Sequence, residues 1–478
     1  TGGLVKQGTG SETLSGANTF TGGTIINAGT VVLGAGGSLS STGTVNVASA
    51  GAGLDISAGG NQSIGSLAGV AGSTVALGGN TLTFGDATNQ TFNGTIGGAG
   101  GIAKQGSGNE TLTGNNTFTG GTVINAGTLT LGSAGALSSG PVTITGPATL
   151  DNTTPLNVSN PVTLAAGATV GGSANLTLSG VISGTGSLTK NGQADLTLPG
   201  TNTYSGGTVL NSGSLTLGSS ASIGTGPLTV NGGTLNLSST GLAVDSLNST
   251  NSSGALNLGS GALAVNGGGN YAGSIAGSGS LIKNGAATLI LSGNNTYSGG
   301  TTVNTGTLAV NGSIANSTVT VNNGATLGGT GKVGGLVVNS GGTAAIGSAS
   351  SALSVGGNVS FAPGSTYQVQ VNPQQQGNQI NATGTSALSG GTVQVLAATG
   401  NYASNTTYTI LTAAGGLAGT FADVTSNLAF LTPTLRYDPT SVYLALASNG
   451  TTFAQVAATP NQRAVATALG TLGAGNPL

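Results

Sequence analysis

The 478-residue chain contains no cysteine, histidine, methionine or tryptophan, and only 3% of its residues are charged. Without histidine or cysteine it cannot form a Ser-His-Asp or Cys-His catalytic centre, a zinc finger, a haem ligand or a disulfide framework. The 7 basic and 9 acidic side chains give a net charge of -2, which provides no basic surface for phosphate backbones. The composition predicts a protein without cofactor, metal or nucleic-acid partner.

Long apolar runs are also missing. None reaches the roughly eighteen residues that a membrane helix requires. The first residues lack the charged and apolar segments of a secretion signal, so the sequence is interpreted as a piece of a longer protein.

Glycine is abundant, with 93 residues, but falls short of the third that a collagen triplet demands. Disorder is the stronger alternative, and the 37% hydrophobic content and its arrangement argue against it. Val, Leu and Ile recur at alternate positions, which is the period of a half-buried strand, as in 44–47, 128–131 and 319–321. The pattern predicts many short strands separated by Gly and Asn turns.

Four blocks of the sequence align with one another. Each begins with an apolar residue two positions before a lysine and ends on a Phe/Tyr-Thr/Ser-Gly-Gly-Thr segment. The blocks run from Leu4 to Thr24, from Ile102 to Thr122, from Leu188 to Thr208 and from Leu281 to Thr301. Each continues into an Asn-x-Gly-Thr/Ser-Leu/Val strand, so the chain contains a superrepeat of roughly ninety residues.

Two architectures bury so many short strands: an antiparallel sandwich and a parallel β-helix of stacked coils. A sandwich core requires large aromatic side chains, whereas aromatics make up only 3% of this chain. We therefore predict an all-β fold, a right-handed parallel β-helix over residues 1–355.

The composition changes after residue 355. Nine of the 16 Phe and Tyr residues lie between 361 and 453, which predicts a bulkier core there. Residues 461–469 form the one helix-like segment in the sequence, with Val465 and Leu469 four positions apart. We expect residues 356–450 to form a C-terminal cap, followed by a short helix within residues 451–478.

The blocks resemble the passenger-associated repeats of bacterial type V autotransporters, through their Leu-x-Lys-x-Gly, Asn-Thr-Phe/Tyr-Thr/Ser-Gly-Gly-Thr and Asn-x-Gly-Thr-Leu segments. The tail resembles the pertactin-like C-terminal region of those passengers. Its matching segments are 408–413, 419–421, 427–431, 435–438 and 442–446. Residues 461–466 and 475–478 are similar to the segment that leads into the translocator barrel.

This resemblance implies a rod at the surface of a Gram-negative bacterium or secreted from it. It implies export through an outer-membrane translocator β-barrel, which this sequence does not include, with C-terminal coils that fold first. Residues 451–478 would be the linker toward that barrel. The expected function is that of an adhesin or structural stalk, a monomer that binds host-cell, matrix or glycan ligands.

An enzyme on a β-helix would require two close carboxylates or an acidic calcium cluster with a base. The nine acids are far apart in sequence, the closest pair within the predicted helix being Asp86 and Glu110. We therefore predict no catalytic residues. The alternatives are a polysaccharide-degrading β-helix enzyme and a spacer for an N-terminal effector domain outside this sequence.

Two sets of repeated side chains are candidate ligand contacts. Phe20, Phe118, Tyr204 and Tyr297 occupy one repeat position and could form a stripe that stacks sugars, or could each fill a coil beside its Gly-Gly pair. Acidic residues follow Lys6, Lys104 and Lys190 by five or six positions, and we expect solvated cross-turn pairs there.

Overall fold

The computed structural model of the chain describes residues 2–219, 222–238, 241–400, 402–403 and 405–471. The chain forms two compact units. Unit 1 comprises Thr1–Leu263 with Ala272–Ser274, and unit 2 comprises Ala264–Tyr271 with Ile275–Leu478. Strands account for 48% of the residues and helices for 3%, which confirms the all-β prediction.

Unit 1 is a parallel β-solenoid in which the chain visits three sheets in turn. Strand partners in neighbouring coils are 20 residues apart in the regular part, as Ile102 with Thr122 and Thr122 with Val142. The turns between strands are too short for helices, and glycine supplies the positive φ that several of them require, as at Gly127 (φ 70°).

Most strands of unit 1 fall into five sheets, all paired in parallel. Sheet 1 contains Leu4–Lys6, Thr24–Ile26, Thr44–Val47, Ser66–Gly69, Gln90–Phe92, Asn109–Leu112, Gly127–Leu131, Ala148–Asn152, Ala168–Val170, Leu188–Lys190, Thr208–Leu210, Leu228–Val230 and Leu247–Asn248. Sheet 2 contains Gln62–Ser63, Leu82–Phe84, Ile102–Lys104, Thr122–Ile124, Val142–Ile144, Val162–Leu164 and Ile182–Gly184. Sheet 3 contains Ser11–Leu14, Thr30–Leu33, Gly53–Asp55, Thr74–Ala76, Thr95–Gly98 and Thr117–Phe118.

Sheet 4 includes Leu156–Val158, Leu176–Leu178, Asp195–Leu198, Ser214–Leu217, Thr234–Asn236 and Ala255–Asn257. Sheet 5 is the pair Thr201–Asn202 and Ser222–Ile223. Leu242–Val244 is a further strand of unit 1. Leu263–Val265 and Ser274–Ala276 each begin in unit 1 and end in unit 2.

The core of unit 1 consists of inward side chains stacked in register. Leu129, Leu150 and Val170 are aligned partners in sheet 1 and are each at most 2% exposed. The outward positions of the same strands carry threonine, as at Thr149 and Thr169. Burial of each such apolar side chain contributes about 1.5–3 kcal/mol, so the alternation in the sequence sets which side of each strand faces inward.

Most strands of unit 2 are also paired in parallel, and its coils have unequal lengths. Sheet 6 includes Leu281–Lys283, Thr301–Val303, Ser313–Val321, Lys332–Val338, Ala352–Val355, Val359–Phe361, Gln379–Ala382, Ser386–Ser389, Thr406–Ala413, Leu417–Thr420, Leu431–Tyr437 and Ser441–Ser448. Sheet 7 contains Gly269–Tyr271, Thr288–Leu291, Gly306–Val310, Ala325–Gly328, Thr343–Ala345, Thr366–Val371, Thr392–Ala397 and Asp423–Ser426.

The end of unit 2 departs from the parallel arrangement. Ser441–Ser448 pairs antiparallel with both Thr406–Ala413 and Leu431–Tyr437. Beneath it Phe361 packs against the rings of Tyr367 and Phe421, with centroid distances of 5.6 and 5.2 Å. This is the bulkier core that the aromatic content predicts. The expected cap, residues 356–450, lies within unit 2, and its separate role stays a prediction.

Two helices follow, Phe453–Val456 and Pro460–Thr471. The second one confirms the short terminal helix predicted at residues 461–469. No helix among the described residues is long and apolar enough to cross a membrane. Residues 472–478 of the expected linker lie outside the described residues.

Candidate functional site

The lysine of each repeat is a structural residue. The side chains of Lys104, Lys190 and Lys283 are at most 1% exposed. The ammonium of Lys104 donates hydrogen bonds to the carbonyls of Gln105 (2.6 Å) and Gly106 (3.1 Å) in its own turn and of Ala126 (3.3 Å) in the next coil. Burial lowers the pKa of Lys104, Lys190 and Lys283 below the ordinary lysine value.

The other lysines repeat this arrangement. Lys190 donates to the carbonyls of its own turn, and Lys283 also reaches the next coil at Thr305 (3.4 Å). Charge-assisted hydrogen bonds are the strong ones, so each ammonium satisfies carbonyls that a tight glycine turn would leave unpaired. The repeated Lys-x-Gly segment is therefore a turn clamp.

The asparagine two residues before each of the three buried aromatics joins three coils. The side-chain carbonyl of Asn116 accepts from the Ile96 amide (2.8 Å), and its side-chain amide donates to the Ala136 carbonyl (2.6 Å). Asn202 accepts from the Ile182 amide (2.9 Å), and Asn295 accepts from the Ile275 amide (2.9 Å). All three asparagines are buried. We call these residues the coil-bridging asparagines.

The candidate aromatic residues divide into two groups. Phe118, Tyr204 and Tyr297 are 0% exposed and fill the interior. The Tyr204 hydroxyl lies 2.6 Å from that of Thr208, and the Tyr297 hydroxyl lies 2.7 Å from that of Thr301. Phe20 alone among the four is half-exposed. The geometry thus favours the coil-filling alternative for the three buried rings. Contact of these aromatic positions with a ligand stays a prediction.

Phenylalanine at this position leaves one polar atom unsatisfied. Thr122 corresponds to Thr208 and Thr301, and its buried hydroxyl has no hydrogen-bond partner. We expect Phe118→Tyr to stabilise the chain by about 1 kcal/mol, because the new hydroxyl would pair with that of Thr122. Denaturant titration measures this change, and the reverse substitution Tyr204→Phe is the matched control, expected to destabilise. Equal or lower stability of Phe118→Tyr would contradict the assignment.

Equivalent repeats do not lie on one side of unit 1. Lys6 and Lys190 belong to strands of sheet 1, whereas Lys104 belongs to sheet 2. Likewise Phe118 lies in a strand of sheet 3, whereas Tyr204 follows a strand of sheet 5. Within unit 1, neither the lysines nor the aromatics form a continuous stripe.

The acidic residue Glu110 lies inside the solenoid. Its side chain is 1% exposed, and its Oε1 has no hydrogen-bond partner. Desolvation raises the pKa of Glu110 to about 8, against the opposing effect of the nearby Lys104. The expectation of a solvated cross-turn pair is wrong for Glu110 and Lys104, because the strand's alternation turns Glu110 inward. Among the described residues there is no group of three or more acidic side chains that could hold a metal ion.

Stacked asparagines form ladders along both units. In unit 1, Asn211 donates to Asn191 (2.8 Å) and Asn231 donates to Asn211 (3.0 Å). In unit 2 the ladder has five members with donor–acceptor distances of 2.8–3.1 Å: Asn266, Asn284, Asn304, Asn322 and Asn339. Each side-chain amide satisfies its neighbour, so the turns are tied together along the coil axis.

Sequence reasoning found the signature residues but not the role of the lysines or the coil-bridging asparagines. The available signal was that Lys and Asn recur in every block without a constant acidic partner, since Lys283 has none. A repeated charge with no repeated counter-charge indicates backbone carbonyls as its partners.

Comparison with known proteins agrees with this architecture. The family model described as Passenger-associated-transport-repeat matches residues 4–33, 102–131, 188–217, 212–237 and 281–310. Four of these matches begin at the first residues of the four aligned blocks. The match at 212–237 is an additional repeat outside those four blocks.

Two relatives are similar to parts of the chain. "Extracellular serine protease" of Serratia marcescens is 36% identical over 217 residues, which is 44% of this chain and 21% of that protein. "Adhesin BmaC autotransporter" of Brucella suis biovar 1 (strain 1330) is 39% identical over 117 residues, 24% of this chain and 3% of that protein. The matches cover about a fifth or less of the length of either relative.

Stacked coils held by repeated turn clamps and bridging amides define the chain as a parallel β-solenoid built from sequence repeats. The matched segments show that the chain carries passenger-associated transport repeats, and the chain is similar to autotransporter passengers. Its location is accordingly the surface of a Gram-negative bacterium or the medium outside it.

Proposed function

We propose that the chain is a non-enzymatic part of its passenger, acting as an adhesin or as a structural stalk. The observation that carries this proposal is the use of the repeat signature. Its lysines, asparagines and three of its four aromatics are occupied in holding neighbouring coils together. Because the repeated residues are used in packing, contact with other molecules is left to the outward strand positions and the turns.

The chemistry of the chain supports a non-enzymatic role. The protease named among the relatives matches over a fifth of its length, and this chain has no histidine to act as the base of a Ser-His-Asp centre. A glycosidase would require two carboxylates open to a sugar chain. Of Asp86 and Glu110, the pair closest in sequence within residues 1–355, the second is enclosed in the interior and cannot contact a polymer.

Binding and hydrolysis assays distinguish the three candidate functions. The chain is applied to cultured cells, immobilised matrix proteins and oligosaccharide arrays, and separately incubated with polysaccharides in a reducing-sugar assay. Saturable binding without sugar release supports an adhesin. Folded protein that binds nothing would instead support a spacer, and released sugar would overturn the non-enzymatic proposal.

For export, we propose that a translocator β-barrel outside this sequence is the partner of the passenger, and that residues 356–450 assist its folding. The support is the antiparallel closure and the aromatic cluster in this segment, which are contacts made within the segment and outside the repeat. Such contacts can form without a neighbouring coil as template.

Deletion of residues 356–450 tests the folding role. We expect the deleted chain to refold at least about tenfold more slowly than the full chain, or not at all. Without residues 356–450, the coil that folds first would have no folded surface on which to stack. Refolding is followed by circular dichroism after dilution from denaturant. A deletion of residues 451–471 serves as the control, and unchanged refolding of the first variant would contradict the proposal.

A further inference from the structure

An Asn–Gly pair follows the clamp lysine in two of the four aligned blocks. The pairs are Asn191-Gly192 and Asn284-Gly285, whereas the first two blocks have Gln7-Gly8 and Gln105-Gly106. In an Asn–Gly pair the glycine nitrogen can attack the asparagine side-chain carbon and close a five-membered ring, and the missing Cβ of glycine leaves that approach open. Glutamine would need a six-membered ring, which closes more slowly. The clamp turns of the last two blocks are therefore candidate sites of chemical modification.

The clamp lysine activates the attacking nitrogen in the third block. The Lys190 ammonium donates to the backbone carbonyl oxygen of Asn191 at 2.6 Å. This oxygen takes up the negative charge when the Gly192 N–H loses its proton, so a cation bonded to it makes that nitrogen more acidic. Within the described part of the chain the Gly192 N–H donates no hydrogen bond. The nitrogen is thus both activated and unoccupied.

The stacked asparagines activate the carbon that is attacked. The side-chain amide of Asn211 donates to the side-chain carbonyl oxygen of Asn191 at 2.8 Å. A donor fixed on this oxygen stabilises the oxyanion that forms during the attack. Asn191 is the acceptor at the end of its ladder, and among the described residues its own amide nitrogen, the leaving group, donates no hydrogen bond. Asn191 and Gly192 are half-exposed, so water can reach the product.

The equivalent asparagine in the fourth block differs in one contact. The Lys283 ammonium lies 2.5 Å from the carbonyl oxygen of Asn284, and the Asn304 side chain donates to the Asn284 side-chain oxygen at 2.8 Å. However, the Asn284 amide nitrogen donates to Asn266 at 3.1 Å. The leaving group is held in this ladder, so Asn284 should react more slowly than Asn191.

Three other Asn–Gly pairs, at 231–232, 311–312 and 323–324, have an occupied nucleophile. The glycine N–H of each pair donates to a backbone carbonyl: Gly232 to Leu210 (3.3 Å), Gly312 to Leu291 (3.0 Å) and Gly324 to Gly341 (3.0 Å). The lysine hydrogen bonds of the described residues go to the clamp turns and the coils after them. We call these three the occupied pairs, and they should be protected from the attack.

We propose that Asn191 converts without an enzyme to aspartate and isoaspartate. The Gly192 nitrogen bonds to Cγ of Asn191, the Cγ–Nδ2 bond breaks, and ammonia leaves with one proton in place of the one that the nitrogen gave up. Water then opens the succinimide at either carbonyl. The product is one new carboxylate in the turn of Lys190. The inference is independent of whether the chain acts as an adhesin or as a stalk.

The test incubates the folded full chain at pH 8 and follows aspartate and isoaspartate formation by peptide-mapping mass spectrometry. We expect Asn191 to convert first, about threefold faster than Asn284 and at least about tenfold faster than the occupied pairs. It should also convert faster in the folded chain than in the same chain unfolded in urea, because only folding holds Lys190 and Asn211 against it.

Three variants isolate the cause. Asn191→Gln copies the residue that the second block has in its clamp turn, and it should abolish conversion there. Gln105→Asn should create a new site, because the Lys104 ammonium lies 2.6 Å from the carbonyl oxygen of Gln105. Lys190→Met removes the ammonium but keeps an apolar stem, and it should slow conversion of Asn191 about tenfold. Hydrogen exchange of the turn in Lys190→Met shows whether the turn stays closed.

Four results would overturn the assignment. They are conversion of Asn191 no faster than that of the occupied pairs, slower conversion in the folded than in the unfolded chain, an unchanged rate in Lys190→Met with the turn closed, and persistent conversion in Asn191→Gln. Should Lys190→Met open the turn, the decision passes to Gln105→Asn, and no conversion at that position in the folded variant would overturn the role of the lysine.

Discussion

Asn116→Ala is expected to destabilise the coils around it by about 2–4 kcal/mol, because two buried partners lose their hydrogen bonds at once. The Ile96 amide and the Ala136 carbonyl belong to the coils on either side, and both hydrogen bonds to Asn116 are buried. Hydrogen-exchange mass spectrometry measures the effect locally, which is required because long repeat arrays do not always unfold in one step. Exchange should accelerate in peptides spanning residues 90–140.

Asn18→Ala is the matched control for this substitution. Asn18 occupies the same repeat position but is half-exposed and bonds only to the carbonyls of Gly16 and Ser38. Its loss should cost about 1 kcal/mol or less. Equal losses of stability in the two variants would show that an asparagine bridging three coils stabilises the chain no more than a partly exposed one.

Glu110→Leu is expected to stabilise the chain, and by more at high pH. The carboxyl has a pKa of about 8 in the folded chain and near its ordinary value of 4.5 when unfolded. Between these values the unfolded chain loses a proton that the folded chain retains, so folding becomes less favourable as pH rises and the penalty is complete above about pH 8. Removing the carboxyl should gain about 3 kcal/mol at pH 9 and much less at pH 4.

The repeats themselves support this substitution. Leu196 and Leu289 follow Lys190 and Lys283 at the offset of Glu110 from Lys104, and both leucines are fully buried. At Lys283, whose pKa shift has desolvation as its cause and no carboxylate contribution, the lysine clamp therefore holds without an acidic partner. Denaturant titrations at pH 4, 6 and 9 measure the gain. Glu12→Leu, at the exposed equivalent in the first coil, is the matched control for replacing a carboxylate by leucine. A pH-independent gain at Glu110 would contradict the raised pKa.

Much of the fold was predictable from local sequence. Alternation at Thr128-Leu129-Thr130-Leu131 predicts a strand with Leu129 inward, and the structure has both leucines buried. The terminal helix was predictable from Val465 and Leu469 because helical spacing is a property of a single segment. The repeat signature predicted a stacked architecture, since one repeat alone cannot bury its apolar face.

The site was less predictable, because its geometry depends on neighbours in other coils. Phe20 and Phe118 occupy the same position in the same motif, yet one is half-exposed and the other enclosed. Glu12 and Glu110 differ in the same way. Nothing within a repeat distinguishes the members of either pair. Glu110 is enclosed because strands pair on both sides of its own strand, with Gln90 and Leu129 as its register partners about 20 positions away along the chain.

The sequence by itself determined the strand pattern, the inward positions and the residues that each coil uses to hold the next. Only the tertiary structure decided which sheet receives each repeat and which of its side chains remain open. The physical reason is coil length. Register partners are 20 residues apart at Ile102 and Thr122, 18 at Thr301 and Val319, and 31 at Ile380 and Leu411. Because the spacing between repeats is not a whole number of such coils, equal sequences meet different neighbours.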